Sequence, residues 1–268
     1  MAIDKSRKFT TLVRLGYAAR GLTYLLLGFL ALSASGKAMD GQNGVFDYIQ
    51  TIPLGTPLLW LIAIGLAAYA IFKLISAATN IENHADDAKG MAKRIGALAS
   101  GIVHAFLAYA AWRFATGSGT GGGGAQDMAA PVMDVVLGDF LLGLAGAGML
   151  AAAAMQAKSA VTGDFMRDID GRAPPVVALI GRAGHAARAV VFAVIGWSLV
   201  KAALLESESQ VKGLGEALLT LREMGVVYTL VAIGLLLFGA FSLVTARYRI
   251  IPDIGRSDLH PHLGSRLR

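Results

Sequence analysis

The chain has 268 residues, of which 55% are apolar and only 16% charged, and its mean hydropathy is +0.59. Soluble domains carry about a quarter charged residues, so this composition excludes an ordinary soluble domain and favours a membrane protein. Cysteine is absent, which excludes disulfides, thiolate metal sites and thiol catalysis. The net charge of +6, taken alone, would suit nucleic acid as a partner.

Six apolar stretches are long enough, or nearly so, to cross a bilayer core, which takes about 20 helical residues. They cover roughly residues 12–34, 54–78, 95–115, 140–160, 184–205 and 225–246. Short polar–apolar segments precede the second, fourth and sixth stretch; they are residues 45–51, 128–136 and 214–222. The helical spacing of Leu214, Leu218 and Leu221 favours short helices that lie flat at the outer membrane surface. Ordinary loops packed on the helix ends are the alternative.

One block of sequence opens the first, third and fifth stretch. Its copies begin at Arg14, Arg94 and Arg182, which are 80 and then 88 residues apart. The second, fourth and sixth stretches also align with one another, starting from a shared glycine. These glycines are Gly65, Gly148 and Gly234. Parallel repeats in a membrane are related by an axis along the membrane normal, so the sequence predicts three antiparallel hairpins in a pseudo-threefold arrangement.

These units predict an all-α integral membrane protein, a six-helix bundle built from three two-helix repeats. The repeats occupy residues 1–82, 83–172 and 173–251, and a polar, basic cytoplasmic tail covers 252–268. Residues 116–124 are nearly all glycine, serine and threonine. Because no Gly-Lys-Ser/Thr follows, this segment predicts a flexible external linker rather than a phosphate-binding loop.

Lysine and arginine gather in alternate loops. The two termini and the second and fourth loops carry 16 of these residues, whereas the opposite loops carry 5. This asymmetry is the positive-inside pattern, so we expect both termini to be cytoplasmic. It also argues against nucleic acid as a partner and favours contact with membrane lipids, anionic ones above all.

The repeated block resembles a known family. The first copy reads Arg-x-Gly-x-x-x-Arg-Gly-x-x-Tyr-x-x-x-Gly from Arg14, and Gly-x-x-x-Tyr-x-x-Phe-Lys-x-x-x-Ala follows from Gly65. This pattern resembles the domain of unknown function 1206 family over about residues 7–247. The middle copy departs most, because Ser100 and His104 replace the arginine and the tyrosine. The resemblance implies a bacterial inner-membrane protein with three two-helix repeats, and it implies no activity.

Polar residues inside a membrane are costly and often functional, and here they fall at matching positions of the repeats. The first helices carry Arg20, Ser100 and Arg188. Four residues on, the same helix face carries Tyr24, His104 and Phe192. The second helices carry Lys73, Gln156 and Ser242. We expect these side chains to form one polar layer with no membrane carboxylate, in which Arg20, Lys73 and Arg188 bind an anion such as a lipid phosphate or a loop carboxylate.

Simpler roles compete with this hypothesis. Arg20 and Arg188 can snorkel, because helical side chains lean toward the N-terminus and their helices start at the cytoplasmic side. Lys73 leans toward the bilayer centre instead, but it can curl back or pair with a loop carboxylate. The candidate carboxylates are those of Asp86, Asp87, Asp164 and Asp168. A lone membrane histidine such as His104 is more often a hydrogen-bonded packing residue than a proton carrier.

Two functions fit these features. The first is a non-enzymatic scaffold or accessory subunit that packs laterally in a larger membrane protein complex and contacts anionic lipid. The second is a small-solute or ion transporter or channel with a pseudo-threefold central pathway. An enzyme is disfavoured, because the sequence offers no nucleophile–base pair or ligand cluster, and we expect no metal and no cofactor.

The topology can be tested with single cysteines, because the chain contains none. We expect a Ser118→Cys variant to react with a membrane-impermeant maleimide in intact cells, since the positive-inside pattern places this loop outside. A Ser257→Cys variant should react only after lysis. The reverse labelling would contradict the predicted orientation.

Overall fold

The computed structural model describes residues 5–33, 41–80, 82, 85, 87–118, 131–134 and 137–251. Its helices, in chain order, are α1 Lys5–Leu32, α2 Gly41–Thr51, α3 Gly55–Thr79, α4 Ala88–Ala115, α5 Gly138–Thr162, α6 Val176–Leu205, α7 Leu214–Arg222 and α8 Val226–Tyr248. Short 3₁₀ turns cover Asp164–Asp168 and Glu208–Gln210. The basic tail with Ser257 and most of the predicted linker lie outside the described residues.

Within this part of the chain, six helices are long and apolar enough to cross a membrane: α1, α3, α4, α5, α6 and α8. They are the two helices of each of the three predicted repeats. The predicted all-α fold is therefore confirmed, and the protein is a multi-pass membrane protein.

α4 and α6 begin well before the apolar stretches that predicted them. α4 starts at Ala88 and α6 at Val176, whereas the predicted spans started at 95 and 184. Basic residues such as Lys93 lower the local hydropathy, but they do not interrupt a helix because lysine and arginine are good helix formers. Asp87 caps α4, since its carboxylate accepts a hydrogen bond from the Gly90 backbone N–H at 2.7 Å. These basic residues therefore belong to the first turns of helices rather than to loops.

The arginines that open the three copies lie at one end of the bundle, which we call the basic end. Arg94 donates a hydrogen bond to the carbonyl oxygen of Ala77, in the last turn of α3, at 2.9 Å. Arg182 lies beside Gly163 at the end of α5. A Cβ on Gly163 would come within 3.1 Å of the Arg182 guanidinium. α1 runs antiparallel to α8, so the equivalent Arg14 lies near the end of α8.

The second helix of each repeat packs on the first helix of the next repeat. α3 packs on α4, α5 on α6, and α8 on α1, which closes the cycle. Within repeats, α1 also packs on α3 and α6 on α8. Among the described residues, α4 and α5 form no comparable contact. The six helices therefore make a pseudo-threefold ring that is open between the two helices of repeat 2.

The contacts within repeats 1 and 3 depend on a glycine of the first helix that faces an aromatic residue of the second. A Cβ on Gly16 would lie 2.8 Å from the Cα of Tyr69, and a Cβ on Gly184 would lie 2.7 Å from the Cα of Phe238. In repeat 2 the matching residues are Gly96 and Ala152. Gly96 has no atom within 4 Å of the position a Cβ would take, and the same is true of Gly148, the counterpart of Gly65 and Gly234.

The short helices α2 and α7 close the bundle at the end opposite the basic end. α2 buries Val45, Phe46 and Ile49, and α7 buries Ala217, Leu218 and Leu221. All six residues belong to the largest apolar core, which also contains residues of α1, α3, α4, α6 and α8. Two of the three segments predicted to be flat helices or loops are thus helices. Of the third segment, 128–136, the structure describes residues 131–134. Residues 131–133 form a helical turn.

The second helices of repeats 1 and 2 begin in the same strained way. Leu54 and Leu137 adopt the left-handed conformation, with φ angles of 62° and 71°, and a glycine follows each of them. A Cβ on Gly55 would lie 1.7 Å from the carbonyl oxygen of Ile49, so only glycine fits there. The left-handed leucines cost about 1–2 kcal/mol each, which the burial of α3 and α5 must offset.

Candidate functional site

Arg20 projects from α1 to a point where α1, α3 and α8 meet. Its guanidinium donates hydrogen bonds to the Tyr69 hydroxyl oxygen at 2.7 Å and to the Ser242 hydroxyl oxygen at 3.2 Å. The guanidinium carbon also lies 4.7 Å from the ring centroid of Tyr17 and 5.2 Å from that of Phe238. The side chain is half-buried, and its Nε atom is buried without a hydrogen-bond partner. Aromatic faces and hydroxyl groups therefore surround this cation.

Arg188 reaches the same place from α6. Its guanidinium carbon lies 4.4 Å from the ring centroid of Phe238, 4.7 Å from that of Phe192 and 5.7 Å from that of Tyr24. Like Arg20, Arg188 is half-buried and has a buried Nε atom with no hydrogen-bond partner. Two cations thus meet at one phenylalanine ring. We call this group the arginine–aromatic cluster; it comprises Arg20, Arg188, Tyr24, Tyr69, Phe238 and Ser242.

Lys73 belongs to a different group at the basic end, in which a loop carboxylate balances it. Its Nζ lies 3.6 Å from Glu82 Oε2, which also accepts a hydrogen bond from the Ser76 hydroxyl at 3.0 Å. Arg249 Nη2 lies 2.6 Å from the other Glu82 oxygen, and Arg249 Nη1 lies 3.4 Å from Asp168 Oδ2. The side chains of Lys73, Glu82 and Arg249 are only 13–15% exposed. We call these five residues the carboxylate clasp.

The carboxylate clasp joins all three repeats. Glu82 follows α3 of repeat 1, Asp168 follows α5 of repeat 2, and Arg249 follows α8 of repeat 3. Backbone hydrogen bonds reinforce it, from Asp170 N–H to the Tyr248 carbonyl at 2.8 Å and from the Ile250 N–H to the Asp168 carbonyl at 2.9 Å. The predicted loop carboxylate is therefore present at Lys73.

The identity of that carboxylate differs from the four candidates named from the sequence. Asp87 caps α4, Asp164 accepts a hydrogen bond from the Ser159 hydroxyl at 2.8 Å, and Asp168 pairs with Arg249. Asp86 lies outside the described residues. Glu82 takes the role because the left-handed turn at Asn80 folds the chain back over the end of α3.

Burial alone lowers the pKa of the Arg249 guanidinium. Tyr17 and the facing carboxylates of Glu82 and Asp168 outweigh that effect and raise the pKa above its ordinary value. Arg249 therefore keeps its positive charge and faces both carboxylates as a cation.

His104 lies beside the cluster on α4 and is buried. Its Nδ1 atom is 2.7 Å from the carbonyl oxygen of Ser100, so Nδ1 carries the proton and donates it. The imidazole ring centroid lies 4.5 Å from that of Tyr69. This geometry supports a hydrogen-bonded packing role for His104, with Ser100 as its acceptor.

Gln156, the layer residue predicted on α5, contacts a histidine of α6. Its side-chain oxygen is hydrogen-bonded to Nδ1 of His185, which joins α5 to α6. The His185 ring stacks on Phe165, with centroids 4.8 Å apart, and meets the edge of Phe238 at 5.6 Å. The predicted single layer is thus divided into the arginine–aromatic cluster, the carboxylate clasp and this His185–Gln156 contact.

Several residues of these groups were not among the predicted site residues. They are Tyr17, Tyr69, Phe238, His185, Glu82 and Arg249. Tyr69 stands inside the repeated motif and Phe238 at its matching position, so repeat alignment could have found both. Glu82 and Arg249 lie in loops, where the sequence carries no signal of which helix end the chain folds over.

The described residues contain no group of three or more His, Cys, Asp or Glu side chains that could hold a metal ion. The chemistry that the site does offer is cationic. Guanidinium groups bind carboxylate or phosphate oxygens, and aromatic faces and hydroxyls keep them oriented.

Comparison with known proteins supports the repeat assignment. A family model described as Domain of Unknown Function (DUF1206) matches the chain three times, at residues 15–80, 95–163 and 183–249. The protein belongs to the DUF1206 family. A relative from Bacillus subtilis (strain 168), named "Uncharacterized protein YxxB", is 33% identical over 247 residues, which cover 88% of this chain and 90% of the relative. No solved structure matches the chain.

The clasp predicts a large effect for one loop substitution. Glu82→Gln should destabilise the protein by about 3 kcal/mol, because it removes the carboxylate that pairs with the buried Lys73. It also removes one of the two carboxylates that pair with Arg249. The apparent Tm in detergent should fall by about 6–12 °C. Asp170→Asn is the control and should leave the Tm unchanged, since among the described residues Asp170 forms its ion pair with Arg172, whose side chain is 85% exposed. Equal Tm values for both variants and the parent would show that the clasp does not stabilise the fold.

Proposed function

We propose that this DUF1206 protein is a non-enzymatic scaffold or accessory subunit that packs laterally in a larger assembly of the bacterial plasma membrane and contacts anionic lipid. The observation that carries this proposal is the opening of the helix ring between α4 and α5. Both termini face the cytoplasm in this proposal, because the helix ends and loops that are rich in lysine and arginine lie at the basic end.

The two helices that border the opening expose wide apolar faces. On α4, the face opposite α3 carries Ile95, Ile102, Phe106 and Tyr109, all of which are exposed. On α5, the face opposite α6 carries Leu141, Leu144, Gly148, Ala151 and Met155, which are also exposed. In the most apolar segment, 22% of the residues are buried in α4 and 17% in α5, against 56% in α1; α6, which packs on α5, is also only 22% buried. Repeat 2 thus leaves exposed the surface that repeats 1 and 3 use to hold their own helices together.

A protein helix suits this surface better than lipid alone. Lipid chains cover any apolar surface, so bulky residues by themselves do not favour a protein partner. Helices in membranes associate where small residues let their backbones approach closely. α5 offers such a surface, because Ala147, Gly148, Ala151 and Ala154 are all exposed. We infer that one transmembrane helix of a partner protein lies against α5 in the opening.

The described polar groups support a non-enzymatic role. Ser100 and His104 come closest to a nucleophile–base pair, with 3.5 Å between the Ser100 hydroxyl oxygen and Nδ1 of His104. However, Nδ1 donates its proton to the Ser100 carbonyl oxygen at 2.7 Å. It therefore has no free lone pair with which to accept the hydroxyl proton.

A transporter for small anions is the second candidate. Three like units around an axis and the two cations of the arginine–aromatic cluster favour it. The half of the bundle away from the basic end weighs against it, because Leu27, Leu66, Val191 and Leu235 are at most 1% exposed there. α2 and α7 add a further apolar layer over that half.

Site-specific photocrosslinking in the native membrane tests the proposal. A benzophenone amino acid at Phe106, on the open edge, should give a protein adduct of higher mass in the membrane. The same amino acid at Ile64 is the matched control, since the two positions are 54% and 56% exposed and Ile64 lies on α3 away from the opening. It should react with lipid only.

Protein adducts of equal yield at both positions would mean that the chain has no preferred lateral partner. The absence of protein adducts at both would contradict the scaffold role. In the second case the edge between α4 and α5 would be an ordinary lipid-facing surface.

A further inference from the structure

We propose that Arg20 and Arg188 together bind one phosphate group inside the ring of helices. This inference deepens the lipid contact of the proposed function, and it is independent of the protein partner at the open edge. The phosphate belongs either to a phospholipid headgroup or to a free phosphate compound, since the same chemistry recognises both.

Charge balance is the first argument. The carboxylate clasp provides Glu82 and Asp168 for Lys73 and Arg249. Within the described part of the chain, the ion pairs involve neither Arg20 nor Arg188. Hydroxyl oxygens and aromatic faces orient a guanidinium, but they carry no net charge to neutralise it. Two cations in a low-dielectric region repel each other unless an anion lies between them.

Geometry is the second argument. The two guanidinium carbons lie 5.2 and 4.4 Å from the same point, the ring centroid of Phe238. They are therefore at most about 10 Å apart, and a single anion placed between them would accept charge-assisted hydrogen bonds of about 2.8 Å from both. Both Nε atoms are buried N–H donors that have no acceptor among the described residues. Such donors are rare, and an oxygen-rich ligand would satisfy them.

The chemistry selects phosphate. Two guanidinium forks present planar pairs of donors, which match the oxygen edges of a tetrahedral anion. The hydroxyl groups of Tyr24, Tyr69 and Ser242 lie at the same site and can donate further hydrogen bonds. Arg20 and Arg188 each lie six residues, about 9 Å along the helix, from Arg14 and Arg182 at the basic end, so the site is close to the headgroup level of that leaflet.

Binding can be measured on the purified full chain in a neutral detergent. Phosphatidylglycerol, phosphatidylcholine and inorganic phosphate are titrated separately, and the apparent Tm and the adducts in native mass spectra are recorded. The test variant is Arg20→Gln with Arg188→Gln. The matched control is Arg14→Gln with Arg182→Gln, which removes the same charge from exposed positions on the same two helices.

The proposal predicts a saturable rise in Tm with phosphatidylglycerol or with inorganic phosphate. A response to phosphatidylglycerol alone identifies a lipid headgroup, and a response to inorganic phosphate identifies a free ligand. The test variant should bind at least about tenfold more weakly, the size expected for loss of charge-assisted hydrogen bonds, while the control changes less than about twofold. Arg188→Lys, which keeps the charge but loses the fork, should also weaken binding.

Two results would overturn the proposal. The first is that the parent chain shows no saturable response to phosphatidylglycerol and none to inorganic phosphate, or responds to phosphatidylcholine as strongly as to phosphatidylglycerol; this result needs no variant. The second is an equal loss in the test and control variants, which would assign the effect to general basic charge. Neither result bears on the crosslinking at Phe106, so the lateral partner is judged separately.

Discussion

The fold depends on backbone-to-backbone contact between helices of different repeats. In a bilayer the hydrophobic effect does not drive helices together, so close approach at small residues must supply the attraction. A Cβ on Gly28 of α1 would lie 2.6 Å from the backbone nitrogen of Leu236 in α8. A Cβ on Gly196 of α6 would lie 2.9 Å from the backbone nitrogen of Leu150 in α5. These are matching positions of two repeat junctions, and they fix the order of the helices in the ring.

The opening and the cationic cluster follow from the same packing. Tyr69 and Phe238 pack on glycines within repeats 1 and 3, and the same two side chains contact Arg20 from α3 and α8. Repeat 2 has Ala152 in place of the aromatic residue and Ser100 in place of the arginine. It therefore loses both the internal helix contact and the cation. The middle repeat has diverged into an edge, whereas the outer two repeats hold the site.

Much of this architecture could be predicted from the sequence, because it is repeated there. The period of the arginine block predicts three units, and apolar length predicts the six spans. Hydropathy predicts starts for α4 and α6 that lie seven or eight residues after the true helix starts, because it marks where a helix becomes apolar and not where the helix begins. Alignment of the repeats places Arg20 and Arg188 at matching positions. Their neighbours could not be predicted in this way, since the choice between Glu82 and Asp168 as partner of Lys73 depends on how each loop turns back. The opening between α4 and α5 could not be predicted either, because it depends on which helix faces Ala152.

Disulfide crosslinking in the cysteine-free chain tests the ring order most directly. The pairs Gly28→Cys with Leu236→Cys and Gly196→Cys with Leu150→Cys join repeat junctions, and a Cβ on Gly28 would lie 2.8 Å from that of Leu236. Disulfides need a Cβ separation of about 3.5–4.5 Å, so a small shift of the helices suffices. The account predicts rapid intramolecular crosslinking of both pairs under mild oxidant. Folded variants that remain uncrosslinked, or that crosslink only between separate chains, would contradict the arrangement of repeats described above.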